Sequence, residues 1–168
     1  MTEENNSINE DMVRYFIWSI GNFFSKTSSA EPEIEPPYLL NRFSHNDYTG
    51  TIGVSGNQHG AVYFTVGREL LLDLFQNHYG ETLGDSVADI DEEEFENLLA
   101  DSAGEMTNVV AGNVRNYLGE NFLISTPVVS RNAESPLSIA NGLLGIVFPI
   151  RWKEHSCHVV VGLKPNMN

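Results

Sequence analysis

Apolar residues first fall into a helical rhythm at Ile8, Met12, Tyr15, Phe16, Ile20, Phe23 and Phe24. That spacing predicts an amphipathic helix of about 20 residues. The segment Ser28–Pro37 then carries three of the seven prolines, which predicts an extended connector. Alternating runs predict strands over Tyr38–His45, Tyr48–Ser55 and Ala61–Val66, the last two joined by a turn at Gly56–Gly60. A short helix is expected over Arg68–Tyr79, stopped by Gly80, and a loop over Glu81–Ile90. The longest helix is predicted from Asp91 to Leu118, with Asp91 as its cap, Glu94 completing a capping-box-like start and Gly119 as its stop. A strand at Phe122–Val129 and a polar loop at Ser130–Ser138 follow. Two strands, Gly142–Trp152 and His155–Leu163, then turn tightly at Lys153–Glu154. The order is α-β-β-β-α-α-β-β-β, an α+β domain with helices against a largely antiparallel sheet. No repeat or internal boundary interrupts it, so residues 1–7 are expected to fray and 8–168 to form one domain.

At 100° per residue, Phe95, Leu98, Ser102, Met106, Val109, Asn113 and Tyr117 share a broad, mostly apolar arc of the long helix, expected to face the core. Asp101, Glu105, Asn108 and Gly112 fall within about 60° of one another and form a polar stripe beside it. The stripe holds no Lys or Arg. Gly104 and Gly112 flank it, although each costs about 1 kcal/mol relative to Ala inside a helix. Small residues there keep the surface low enough for another backbone or a partner to approach. A plain solvent face with a packing glycine would look much the same.

Charge narrows the partners. Nine Lys and Arg against 23 Asp and Glu give a net charge of −14, which disfavours nucleic acid and anionic membrane surfaces. Cys157 is the single cysteine, so neither an internal disulfide nor a Cys-rich zinc site is expected. The apolar run Tyr15–Phe24 is too short for a bilayer, which takes about 20 residues. The start TEENNSINED lacks the basic character of a signal peptide, so a soluble, cytoplasmic protein is expected.

The run Asp101-Ser-Ala-Gly-Glu105-Met-Thr-Asn108-Val-Val-Ala-Gly112 resembles the signature helix of the CheC/CheX/FliY chemotaxis phosphatases. In that family an Asp or Ser is followed by three residues, Glu, two residues and Asn, usually with a glycine four further on. Glu-x-x-Asn alone is unspecific, since it also occurs at Glu3/Asn6 and Glu94/Asn97. Neither of those has the preceding acid or Ser together with the following glycine. The order of elements agrees across most of the chain, although only this helix is specific. The first helix has Asp11, but Tyr15 and Trp18 stand where a second Glu and Asn would be. The chain is therefore similar to CheX-like members with one signature helix.

The resemblance implies a CheC/CheX-like fold and dephosphorylation of a CheY-like response regulator at its aspartyl phosphate. Asn108 would position the hydrolytic water, because an amide accepts and donates without adding charge beside the phosphoryl group. Glu105 would pair with the receiver's lysine, Asp101 would add charge to the docking face, and Gly112 would allow close approach. This chain needs no cofactor or metal of its own, and Mg²⁺ is expected in the partner receiver. Relatives of this type imply a homodimer joined through its sheets. The competing reading is a receiver-binding or scaffolding module of the same fold without catalysis. A small-molecule sensing domain is weaker, for want of a pocket signature.

Other candidates are bland. On a strand, His155 and Cys157 share a face and His158 opposes them, which makes no metal site. His45 and His59 fit turns or strand ends, and the Glu92–Glu96 cluster fits a solvated helix start. The aromatic first helix fits a core element, with Ile17 and Trp18 leaving room for a dimer contact.

Overall fold

The computed structural model describes residues 9–79, 89–139 and 144–165. The frayed terminus expected at 1–7, most of the loop expected at Glu81–Ile90 and the start of the strand expected from Gly142 lie outside that description.

Helix α1 spans Glu10–Thr27, and the Asn9 side chain caps it by accepting from the amides of Asp11 and Met12. Its buried face is Met12, Phe16, Ser19, Ile20, Phe23 and Phe24. The connector after it is extended, as its prolines require, yet it also joins the sheet. Strand β1 (Glu33–Ile34) pairs with the later β9 (Gly145–Trp152), placing Ile34 opposite Ile150. The Trp152 indole N–H donates to Ser28 Oγ and the Ala30 carbonyl, fastening the connector to the sheet.

The expected strand Tyr38–His45 is two strands. β2 (Tyr38–Leu40) pairs with β9 in the main sheet, whereas β3 (Arg42–Phe43) leaves it to pair with β8 (Leu137–Ser138). The break at Asn41 carries Phe43 across the sheet's far face, where it is buried. Strands β4 (Tyr48–Gly56) and β5 (Gln58–Val66) form a hairpin whose pairing ends at Val54 opposite Gly60, leaving five residues, Ser55–His59, between them, one position earlier than the turn expected. Gly56 has φ +96°, and an added Cβ would come 1.9 Å from the Asn121 carbonyl oxygen. Helix α2 is Arg68–Tyr79 and α3 is Glu92–Leu118, both close to expectation.

The expected strand Phe122–Val129 is also divided. β6 (Phe122–Ile124) and β7 (Val128–Arg131) pair with opposite ends of β4. Between them Ser125 takes over the pairing with Gly53 through both its amide and its hydroxyl, and Pro127 has no N–H to give. The polar loop expected at Ser130–Ser138 therefore contains the end of β7 and all of β8. Strand β10 (His155–Pro165) follows β9 through the two-residue turn Lys153–Glu154.

The main sheet runs β1-β9-β10-β5-β4-β6, with β2 also on β9 and β7 also on β4, and all its pairs are antiparallel. Both faces are covered. Toward the helices lie Tyr48, Ile52, Val62, Phe64, Phe148 and Val159, among others; away from them Tyr63, Val147 and Val160 pack with Phe43 and Ile139. Burial on both sides explains the unbroken apolar stretch of β10, where Cys157, Val159, Val160 and Val161 are all buried.

Candidate functional site

Helix α3 is positioned by small residues. Its buried face is Leu99, Ala103, Gly104, Met106, Thr107, Val110, Ala111 and Val114. Gly50 of β4 lies directly beneath: an added Cβ would sit 2.0 Å from Thr107 Oγ1 and 2.9 Å from the Ala103 carbonyl oxygen. Thr107 hides its hydroxyl by donating to the Ala103 carbonyl at 2.8 Å. From the other side, Ser19 Oγ of α1 donates to the Val110 carbonyl at 2.8 Å, so the two helices are hydrogen-bonded as well as packed.

This corrects the expected core arc. Of its members only Met106 is buried; Phe95, Leu98, Ser102, Val109 and Asn113 are half-buried and Tyr117 is 48% exposed. The hydrophobic rhythm weighted large side chains, while the helix seats itself through Ala, Thr and Gly contacts that carry little hydrophobic signal. The polar stripe consequently lies on the side of α3 away from the sheet, not beside the core.

Asp101 and Glu105 are exposed, and Asn108 and Gly112 are partly exposed. All four lie along one line of about 16 Å, at 1.5 Å rise per residue. None of the three polar side chains has a hydrogen bond or ion pair among the described residues. The two glycines separate clearly. An added Cβ at Gly104 would meet Val129 at 3.2 Å and Pro127 at 3.5 Å, so this glycine serves packing against β7. Among the described residues nothing lies within 4 Å of a Cβ added at Gly112, so none of their contacts requires a glycine there.

Along one flank of the stripe runs a groove of about 720 Å³ between α1, α2 and α3. Asp101 and Glu105 form part of its wall, with Leu98, Ser102 and Val109 beside them. Sequence reasoning missed this groove, because its other walls come from α1 and α2, distant in the chain.

Other charged residues are held internally. The Asp91 carboxylate caps α3 by accepting from the Glu94 amide at 2.8 Å. Glu92, Glu93 and Glu94 are exposed at the positive end of the helix dipole, as expected. Glu96 departs from that expectation. It accepts from the Tyr48 hydroxyl and from Arg68 Nε at 2.7 Å. Hydrogen bonds from Tyr48 and Arg68 hold its carboxyl below the ordinary range, against the opposing effect of burial. Burial, with Glu96 alongside, pushes the Tyr48 phenol up to about 12.

Asp73 of α2 accepts from Lys153 Nζ at 2.6 Å and faces His155 Nε2 at 3.1 Å. Burial pushes its carboxyl up, but Lys153 and His155 outweigh that and hold it low. Asp73, Glu154 and His155 come close enough to share a cation, yet the Lys153 ammonium already occupies the Asp73 carboxylate. Cys157 is buried and its thiol is pushed up by that burial; burial lowers His158, with Glu35 opposing. His45 Nδ1 lies 2.8 Å from Thr49 Oγ1 at the head of β4. Among the described residues no helix is long and apolar enough to cross a membrane.

No curated protein sequence matches the chain. Among solved structures it is similar to the chemotaxis protein CheX of Vibrio vulnificus, at 24% identity over 92% of this chain and 99% of that one, TM-score 0.74. It is similar to a chemotactic CheC-like protein of Shewanella oneidensis MR-1, at 26% identity over 94% and 100%, TM-score 0.74. It also resembles CheX in the CheX–CheY–BeF₃–Mg²⁺ complex of Borrelia burgdorferi, at 21% identity over 91% and 97%, TM-score 0.74. The model of the family described as chemotaxis phosphatase CheX matches residues 48–151, from the first residue of β4 into β9 and including all of α3. With that match and this fold, the chain belongs to the CheX chemotaxis phosphatase family.

Proposed function

We propose that this protein is a phosphatase acting on the aspartyl phosphate of a CheY-like receiver, with Asn108 and Glu105 as the reacting face of α3. The observation that carries the reading is the stripe itself. Asp101, Glu105 and Asn108 have no partner within the described chain, and Gly112 beside them has no internal reason to be a glycine.

An aspartyl phosphate is an activated anhydride, so its hydrolysis mainly lacks an ordered, in-line water. The Asn108 amide accepts one water proton through its carbonyl and turns a lone pair toward phosphorus. Water attacks phosphorus, the phosphorus–oxygen bond to the aspartate breaks, the receiver's carboxylate leaves, and the water's oxygen and protons depart with the inorganic phosphate, Asn108 having only hydrogen-bonded the water. Glu105 accepts from the receiver's lysine, a charge-assisted contact that fixes how the helix enters. Asp101 extends the acidic docking face, and Gly112 lets the receiver's backbone approach. The receiver's own Mg²⁺ supplies charge neutralisation at the phosphoryl group. CheX of the Borrelia burgdorferi complex is bound to CheY with BeF₃ and Mg²⁺, which supports the same class of partner here.

A homodimer belongs to the same reading, with the exposed Tyr38 and Leu39 of β2 as an apolar surface for it. Sedimentation should then give about twice 18.7 kDa. With a CheY-like partner, the same reading makes the chain a cytoplasmic protein.

The test is phosphate loss from a phosphorylated CheY-type receiver with Mg²⁺, with and without this protein. The native chain should accelerate it, and Asn108→Ala should abolish the acceleration while still binding. A receiver that binds, is not dephosphorylated faster and loses affinity on Glu105→Ala would make the protein a docking module instead.

A further inference from the structure

The two flanks of the stripe are unequal. On one, Gly104 closes against Pro127 and Val129 and the helix is sealed to the sheet. On the other lies the groove between α1, α2 and α3, open among the described residues. The buried Phe23, Leu74 and Met106 and the half-buried Leu98 and Val109 give it an apolar lining. Asn113 Nδ2 is buried there without a hydrogen-bond partner among the described residues. Lys26, exposed at the rim, makes no ion pair among the described residues.

The stripe alone is a poor docking surface. It is about 16 Å long and one side chain wide. A specific protein contact buries about 800 Å² on each partner, around an apolar centre that excludes water. Acidic side chains steer and orient a partner but supply little of that centre. The groove offers it, and the two are continuous, because Asp101 and Glu105 belong to both. Asn108 lies one turn along α3 from Glu105, so a receiver whose acyl phosphate meets Asn108 is brought beside the groove that Glu105 and Asp101 wall.

We propose that the groove receives an apolar side chain of the phosphorylated receiver, projecting from the surface beside its acyl phosphate. This anchor supplies much of the docking affinity and decides which receiver is accepted. The inference rests on the phosphatase reading above and names the part of the receiver that the site selects.

Ser102→Phe tests it. Ser102 lines the groove and only donates to the Leu98 carbonyl of its own helix, at 2.9 Å, so a ring there fills the groove from the α3 side. The KM for the phosphorylated receiver should rise about tenfold, with kcat unchanged. Affinity for the beryllofluoride-activated receiver should fall by the same factor. In the native chain, the methyl resonances of Met106 and Leu98 should shift when that activated receiver is added, a readout that needs no variant to fold. A folded Ser102→Phe protein with unchanged KM and affinity, or methyl resonances that stay in place, overturns the groove's role. If Asn108→Ala still abolishes turnover in that case, the phosphatase reading survives without it. If Asn108→Ala leaves turnover intact while Ser102→Phe raises KM, the groove stands and the water-positioning role falls.

Discussion

Glu96 and Glu105 are glutamates on the same helix, and the molecule treats them in opposite ways. Glu96 is held by the Tyr48 hydroxyl and Arg68 Nε, tying α3 to β4 and α2. Glu105 is exposed and held by nothing in the described chain. The first is part of what fastens the helix; the second is free to meet something else. Hydrogen bonds to a charged group contribute about 1.5–3 kcal/mol each, so a fold that can use a carboxylate internally gains by doing so. A stripe of polar groups without partners among the described residues, on a helix otherwise so closely fitted, is what the proposed docking of a receiver would use.

The sharpest way to break this comparison is to truncate both kinds of residue and read turnover and stability together. Asn108→Ala should lower receiver dephosphorylation about a hundredfold or more, the loss being the ordered water. Its unfolding free energy should stay within about 0.5 kcal/mol of the native value in urea melts, because the side chain is fastened to nothing. A parallel loss of stability would mean that the stripe is structural after all.

Gly50→Ala should do the reverse. The new methyl collides with Thr107 and the Ala103 carbonyl, so about 1–3 kcal/mol of stability should be lost by chemical denaturation. Turnover by the folded fraction should fall only as far as α3 is displaced.

Glu96→Gln should cost about 1–2 kcal/mol and leave the receiver's KM unchanged. It should also flatten the acid limb of the stability curve. Glu96 and Asp73 have carboxyls held below their ordinary values of 4.5 and 3.8, so their contribution is complete above about pH 5. It is lost as the pH falls below those values, where the unfolded chain takes up protons first. Urea midpoints between pH 6 and pH 3 should fall less steeply in the variant.

The smallest effect is the most discriminating. Gly112→Ala should stabilise the chain by up to about 1 kcal/mol, since no neighbour opposes the methyl and the helix gains a better former. The same variant should raise the receiver's KM. A glycine whose replacement strengthens the fold and weakens the encounter is there for the partner.

These contrasts also explain what could be read from the chain alone. The three helices and the β4–β5 and β9–β10 hairpins were legible because their signals are local: caps, breakers and short alternations. Asp101, Glu105, Asn108 and Gly112 could be singled out as candidates because one helix carries them all at fixed spacing. The side of α3 that faces the core was not. It depends on Gly50 meeting Ala103 and Thr107 across more than fifty residues, a contact with no hydrophobic signature. The partners of Glu96 and Asp73 come from other elements for the same reason. The split of Tyr38–His45 between two sheets follows from the need to cover the sheet's far face, and no local pattern encodes that need.

The buried Cys157 has a practical consequence. It is the chain's one thiol and sits on β10 between β9 and β5, with no exposed surface. A thiol-reactive dye therefore finds nothing to label until the middle of the sheet comes apart. The rate of labelling then reports the opening of the core directly, in native buffer and without any receiver present. Each substitution above can thus be assigned to the scaffold or to the encounter with the same reagent.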